Sequence, residues 1–89
     1  MLSLFYRNTF KKDFKRAEKQ RKNLVPLKMV IELLTEEKPL PQKFKDHPLR
    51  GNYIGRRECH LEPDWLLIYL IKNENIIFIR TGTHADLFN

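Results

Sequence analysis

Three histidines, His47, His60 and His84, are the residues best suited to proton chemistry near neutral pH, and all lie in the second half of the chain. An imidazole takes and gives a proton in that range. Their spacing matches no sequence-local metal motif such as H-E-x-x-H. Asp64, four residues after His60, joins them if a hairpin brings the group together. Arg56, Arg57 and Arg80 carry charge of the kind that pairs with phosphate. Histidines and arginines without a metal frame suit RNA cleavage by internal attack. A base takes the 2′-OH proton, an acid protonates the leaving 5′ oxygen, and a cation steadies the crowded phosphorane.

Each of these residues also has a plain structural reading. A surface histidine is usually only that. Asp64 after Pro63 suits a turn. Arg80, ending a strand, suits an ion pair, and Trp65, opening an apolar strand, suits packing. Phe88 is odder, because an aromatic in a loose tail must dock on the core or on a base. Cys59 alternates with His60 and so points to the opposite face, buried and inert.

The elements that must position these groups are legible in outline. Leu2, Leu4 and Tyr6 alternate over residues 2–7, as in a short strand. Asn8 or Thr9 is placed to cap a helix. In that helix Phe10, Phe14 and Ala17 share one face, opposite Lys11, Lys12, Lys15, Arg16, Lys19 and Lys22. A second helix runs from Pro26 through Leu34, with Leu27, Val30, Ile31 and Leu34 at helical spacing. Residues Gln42–Gly55 read as a long loop, a kind often functional. Three strands follow, Arg56–Leu61, Trp65–Ile71 and Ile76–Thr81, joined by hairpin-length turns. Gly82 to Asn89 forms a turn and one helical turn.

The order β-α-α-β-β-β predicts a single α+β domain over residues 1–89, two N-terminal helices packed on one small, mostly antiparallel sheet. Trp65–Ile71 is apolar on both faces and belongs at the centre of the sheet. Two helices cover only one face. The other is covered by a partner segment or by the chain's own long loop.

Length and composition narrow the function. The chain has 89 residues, 42% hydrophobic and 31% charged, which suits one folded domain. The single Cys59 excludes an internal disulfide framework and fits a reducing compartment, the cytoplasm. No apolar run approaches the roughly 18 residues of a membrane span, and no membrane partner is expected. Residues 1–6 lack the marks of a signal peptide. The net charge of +6 is uneven: residues 1–24 hold eight bases and two acids, whereas residues 61–89 carry a net −2. A basic first third points to a polyanion or an acidic protein as partner.

Three blocks of sequence resemble a known family. They are Lys45–Gly51 (KDHPLRG), Arg57–Tyr69 (RECHLEPDWLLIY) and Arg80–Phe88 (RTGTHADLF). Together they look like YafQ-type toxins of the RelE/ParE superfamily, over roughly residues 42–88. The N-terminal half fits in pattern only. The resemblance implies the toxin of a type II toxin–antitoxin pair, an endoribonuclease that cleaves mRNA without metal or other cofactor, typically in the ribosomal A site. It implies His47, His60, Asp64 and His84 as the acid/base set, with Arg80 steadying the phosphate. Trp65 and Phe88 would shape the pocket or hold a base. Arg57 and the first-helix Lys11, Lys15 and Lys19 would contact RNA, the lysines on ribosomal phosphates. A cognate antitoxin would wrap and neutralise the toxin. Two other readings stay open at this point, a gyrase-directed toxin of the same superfamily and a non-catalytic RNA-binding domain.

Overall fold

The computed structural model describes residues 1–51 and 55–88. The chain order is β1 (Ser3–Tyr6), α1 (Asn8–Lys19), α2 (Val25–Thr35), β2 (His47–Pro48), β3 (Arg57–Glu62), β4 (Trp65–Lys72), β5 (Asn75–Gly82) and α3 (His84–Phe88). A 3-10 turn at Gln42–Phe44 precedes β2. The strands form one sheet in the order β1-β5-β4-β3-β2, with β1 parallel to β5 and every other pair antiparallel. The expected α+β architecture holds. Part of the long loop is a fifth strand, β2, at one sheet edge. Residues 52–54 of that loop, and Asn89 of the tail, lie outside the described residues.

The helices form where their apolar periodicity demands. Phe10 and Ala17 of α1 and Leu27, Val30 and Leu34 of α2 are buried in one cluster with Cys59, Trp65, Leu67, Tyr69, Ile76 and Phe78. Side chains of this size, fully buried, each contribute about 1.5–3 kcal/mol. Neither candidate cap of α1 is used. Arg7 is the N-cap and makes no side-chain cap bond, while Thr9 donates its hydroxyl to the Ile79 carbonyl at 2.8 Å, tying α1 to β5. Asp13, at 5% exposure, is buried on the otherwise apolar face of α1.

β4 is the middle strand and is covered on both faces. Trp65, Leu67 and Tyr69 point to the helices. Leu66 and Ile68 point the other way, where they pack with Ile79, Leu87 of α3 and Leu49 of the long loop. So the chain's own loop and tail, not an open face awaiting a partner, cover this part of the sheet. Only the far end thins out, with Leu70 half-buried and Ile71 exposed.

Candidate active site

Residues directly opposite one another on neighbouring strands share a face. The register pairs His47 with Glu58, Glu58 with Ile68, and Ile68 with Arg80. The next row pairs His60 with Leu66, and Leu66 with Gly82. His47, Glu58, His60 and Arg80 therefore stand on one face of the sheet, the face floored by Leu66 and Ile68. Arg80 arrives there through a bulge. Tyr69 pairs with Phe78 and Ile68 with Arg80, so Ile79 is an extra residue in β5. Strict alternation would have put Arg80 on the helix side with Phe78; one inserted residue turns it to the site.

Glu58 is the buried centre of the cluster. Its Oε2 lies 2.8 Å from His47 Nε2 and 3.9 Å from His60 Nε2. Its Oε1 is buried with no hydrogen-bond partner among the described residues. An uncompensated buried oxygen costs about 1–3 kcal/mol, the kind of deficit tolerated where a substrate or ion completes the site. His47 also places Nδ1 3.1 Å from the Pro48 carbonyl, so both its ring nitrogens face acceptors.

Sequence reasoning passed over Glu58 as a site residue. The signal was present: the alternation that sets Cys59 opposite His60 sets Glu58 on the same side as His60.

His47 is held from behind. Asp46 accepts Arg57 Nη2 at 2.9 Å and Nε at 3.3 Å, and also the Tyr69 hydroxyl. Burial, then the Asp46 bond, pushes the Tyr69 phenol up, so it stays a donor. This clamp fastens the segment before β2 to β3 and β4. It also gives Arg57 a partner within the chain. That side chain alternates with Glu58 and so lies on the opposite face from the histidines, where Asp46 engages it.

The hairpin turn and the tail supply the second half of the site. Asp64, in the Pro63-Asp64 turn, faces His84 at the start of α3. Asp64 Oδ1 accepts the His84 backbone N–H at 3.0 Å and lies 2.6 Å from His84 Nδ1. These bonds, the backbone one first, hold the Asp64 carboxyl below its ordinary range. Rings then run in a chain: His47 to His60 at 6.0 Å between centroids, His60 to His84 at 5.9 Å, and His84 to Phe88 at 6.2 Å. The four residues expected as the acid/base set are thus brought together, with Phe88 beside them.

Other expected residues divide. Trp65 is 1% exposed and packs in the helix-side core, with Lys22 5.6 Å above its ring. Its face is not available for stacking a base. Arg16, though exposed, also has partners within the chain: it reaches Asp13 at 3.2 Å and Asp86 at 3.5 Å. Lys11, Lys15 and Lys19 are exposed on α1. Cys59 is buried, and its thiol is pushed up chiefly by that burial, so it is an inert packing group.

One nitrogen each from His47 and His60 and one oxygen of Glu58 all lie within 4.8 Å of one another. Two imidazoles and a carboxylate suit a late transition metal. The set is assembled across β2 and β3, which explains why no local motif announced it.

Over residues 2–89 the sequence matches the family described as the bacterial toxin of type II toxin-antitoxin system, YafQ. It is 46% identical over 84 residues to the mRNA interferase toxin YafQ of Escherichia coli K12, covering 93% of this chain and 91% of that one. It is similar to the toxin in the crystal structure of the E. coli DinJ-YafQ toxin-antitoxin complex, at TM-score 0.91, 44% identity and 99% and 98% coverage. It is similar also to a metal-bound toxin from Helicobacter pylori, at TM-score 0.92, 42% identity and 99% and 100% coverage. With this sheet, this face of histidines and this match along nearly the whole chain, the protein belongs to the YafQ family of toxins of type II toxin–antitoxin systems.

Proposed function

We propose that this YafQ-family endoribonuclease cleaves mRNA in the cytoplasm, in association with the ribosome, by proton transfer between histidines and the two oxygens of the scissile phosphodiester. The carrying observation is that two carboxylate–imidazole pairs flank one ring. Glu58 with His47 lies on one side of His60, and Asp64 with His84 lies on the other. A transesterification needs one proton acceptor and one proton donor on opposite sides of phosphorus, and this arrangement provides both.

In this reading the His47–Glu58–His60 cluster receives the 2′-OH proton as the 2′ oxygen attacks phosphorus. Asp64 accepts His84 Nδ1–H, which leaves Nε2 of that ring to deliver its proton to the departing 5′ oxygen. Arg80 stabilises the charge that builds on the non-bridging oxygens, and Phe88 holds a neighbouring base. The products are a 2′,3′-cyclic phosphate and a 5′-OH. If a metal is bound, as its name says of the H. pylori toxin, His47, Glu58 and His60 would hold it here. It would supply Lewis acidity and occupy the lone pairs that proton transfer uses.

The antitoxin reading moves with the structure. An apolar concavity of about 680 Å³ lies not on the sheet face but between α1, α2 and β1. It is lined by Leu4, Tyr6, Phe14 and Ile31, and its rim mixes lysines such as Lys11 and Lys15 with Glu18, Glu32 and Glu36. An antitoxin segment with apolar residues fits this groove, and acidic residues beside it would meet the lysines exposed on α1.

The test uses an RNA whose scissile 5′ oxygen is replaced by sulfur. Sulfur leaves without protonation, so His84→Ala, expected to lose about 100- to 10,000-fold on ordinary RNA, should regain most of its rate. His60→Ala should stay slow on both substrates. Equal loss for His84→Ala on both would remove His84 as the acid, and a fully active His84→Ala would remove it from the chemistry. Binding without cleavage by the wild-type chain would return the non-catalytic RNA-binding reading.

A further inference from the structure

We propose that Asp13 is a positioning residue for cleavage, acting through Arg80. This rests on the reading above in which Arg80 meets the phosphate.

An acid on the apolar face of a strongly basic helix needs an explanation. Burying an unpaired carboxylate is costly, so it must be fully bonded. Asp13 is. Oδ2 accepts Arg80 Nε at 2.7 Å and the Thr81 backbone N–H at 3.1 Å. Oδ1 accepts Arg80 Nη2 at 3.2 Å and Arg16 Nη2 at 3.2 Å. The two carboxylate oxygens meet two nitrogens of one guanidinium, the forked geometry that fixes a plane as well as a position.

The backbone bond to Thr81 matters equally. It anchors the carboxylate to β5 just past the bulge that turns Arg80 toward the histidines. The bulge in β5 thus sets the face on which Arg80 stands, and α1 sets the plane of its guanidinium. Stability alone would be as well served by an apolar residue at this position, since a buried ion pair gains little net over a hydrophobic replacement. What the acid adds is direction: it fixes the plane of the guanidinium before substrate arrives, so that little ordering is left for the transition state.

The linkage reaches the other half of the site. Arg16 bridges Asp13 to Asp86 of α3, the helix that begins with His84. Gly82 leaves the room this needs, because a Cβ there would stand 3.0 Å from Asp86 Oδ2 and 3.3 Å from Arg16 Nη2.

The test is a double-mutant cycle of Asp13→Asn and Arg80→Ala, with rates expressed per folded molecule. Asparagine keeps an oxygen for Thr81 but loses the charge and the fork. Asp13→Asn should lower kcat by roughly 10- to 100-fold, the cost of a small misplacement, with KM changed less than threefold. In the Arg80→Ala background the same change should cost less than twofold. A loss of the same size in both backgrounds, or no loss in the first, overturns the proposal. Arg80→Ala with full activity would instead overturn the role given to Arg80 itself.

Should Arg80→Ala fail to fold, Arg80→Lys serves, since it keeps the cation and not the fork. A second readout is independent of activity. The Arg80 Nε–H should give a slowly exchanging NMR signal in the wild type that is lost in Asp13→Asn while the core signals stay. An Nε–H exchanging equally fast in both proteins would overturn the proposal.

Discussion

One carboxylate oxygen, Asp64 Oδ1, serves His84 twice, accepting its backbone N–H at 3.0 Å and standing 2.6 Å from its Nδ1. The turn between β3 and β4 thereby fixes both where α3 begins and which nitrogen of His84 is free to exchange a proton. The Asp64 carboxyl is held low by these bonds, the backbone one most. A carboxyl lowered by folding stabilises the fold above the ordinary carboxylate range, and that contribution is lost as pH falls through its lowered value. We expect Asp64 to titrate below an ordinary aspartate by carboxyl NMR. In His84→Ala it should rise only part of the way, because the backbone bond remains. A return to the ordinary range would show that the ring dominates.

Asp46→Ala should act at a distance. It strands Arg57 and the buried Tyr69 hydroxyl, at a cost of about 1–3 kcal/mol. It also releases the segment that presents His47. Thermal unfolding and cleavage should both suffer. The fast-exchanging amides of the variant should concentrate at residues 45–49 and 57–59. Exchange unchanged there would mean that β2 is held by its own pairing.

Trp65→Ala should behave as a core deletion, with a loss of about 3–5 kcal/mol, and Trp65→Phe should be milder. Cleavage per folded molecule should be near wild type for Trp65→Phe. A large fall in kcat without a change in unfolding midpoint would restore a substrate role for Trp65.

Neutralising Lys11, Lys15 and Lys19 together should weaken ribosome association and flatten its salt dependence by roughly one log–log unit or less per lost contact. Melting should hardly move, since these groups are exposed. Tighter dependence on the antitoxin groove than on the ribosome would appear as lost antitoxin binding with normal salt dependence on ribosomes.

Metal should oppose the reaction. Cleavage is expected to persist in EDTA, and Cu(II) should suppress it reversibly. Bound Cu(II) should show nitrogen coupling from two imidazoles by electron paramagnetic resonance, reduced to one in His60→Ala. Coupling unchanged in that variant would place the ion elsewhere.

Four of the five strands, both long helices and the grouping of His47, His60, Asp64 and His84 were legible in the sequence, because strong periodicity and residue type survive any detail of packing. What it hid depends on contacts between distant segments. Arg80 reaches its face only through the bulge at Ile79, and no local feature of Ile76–Thr81 marks an inserted residue. Asp46, Arg57 and Tyr69 meet across elements of different type, so Arg57 read as an RNA contact. Trp65 read both as packing and as a base contact, and only the helices packed over it decide its burial. Glu58 and Asp13 were within reach, one by strand alternation and the other as an acid at an apolar helix position.

The parallel pairing of β1 with β5 has a temporal meaning. Residues 3–6 wait for residues 75–78 before they have a neighbouring strand. During synthesis the first strand emerges early and stays unpaired until β5 has left the exit tunnel. The entropic cost of joining ends so far apart grows slowly with length, but contacts of this span delay folding. The sheet is thus completed only when its last strand arrives. Its histidine face cannot assemble on a partly made chain.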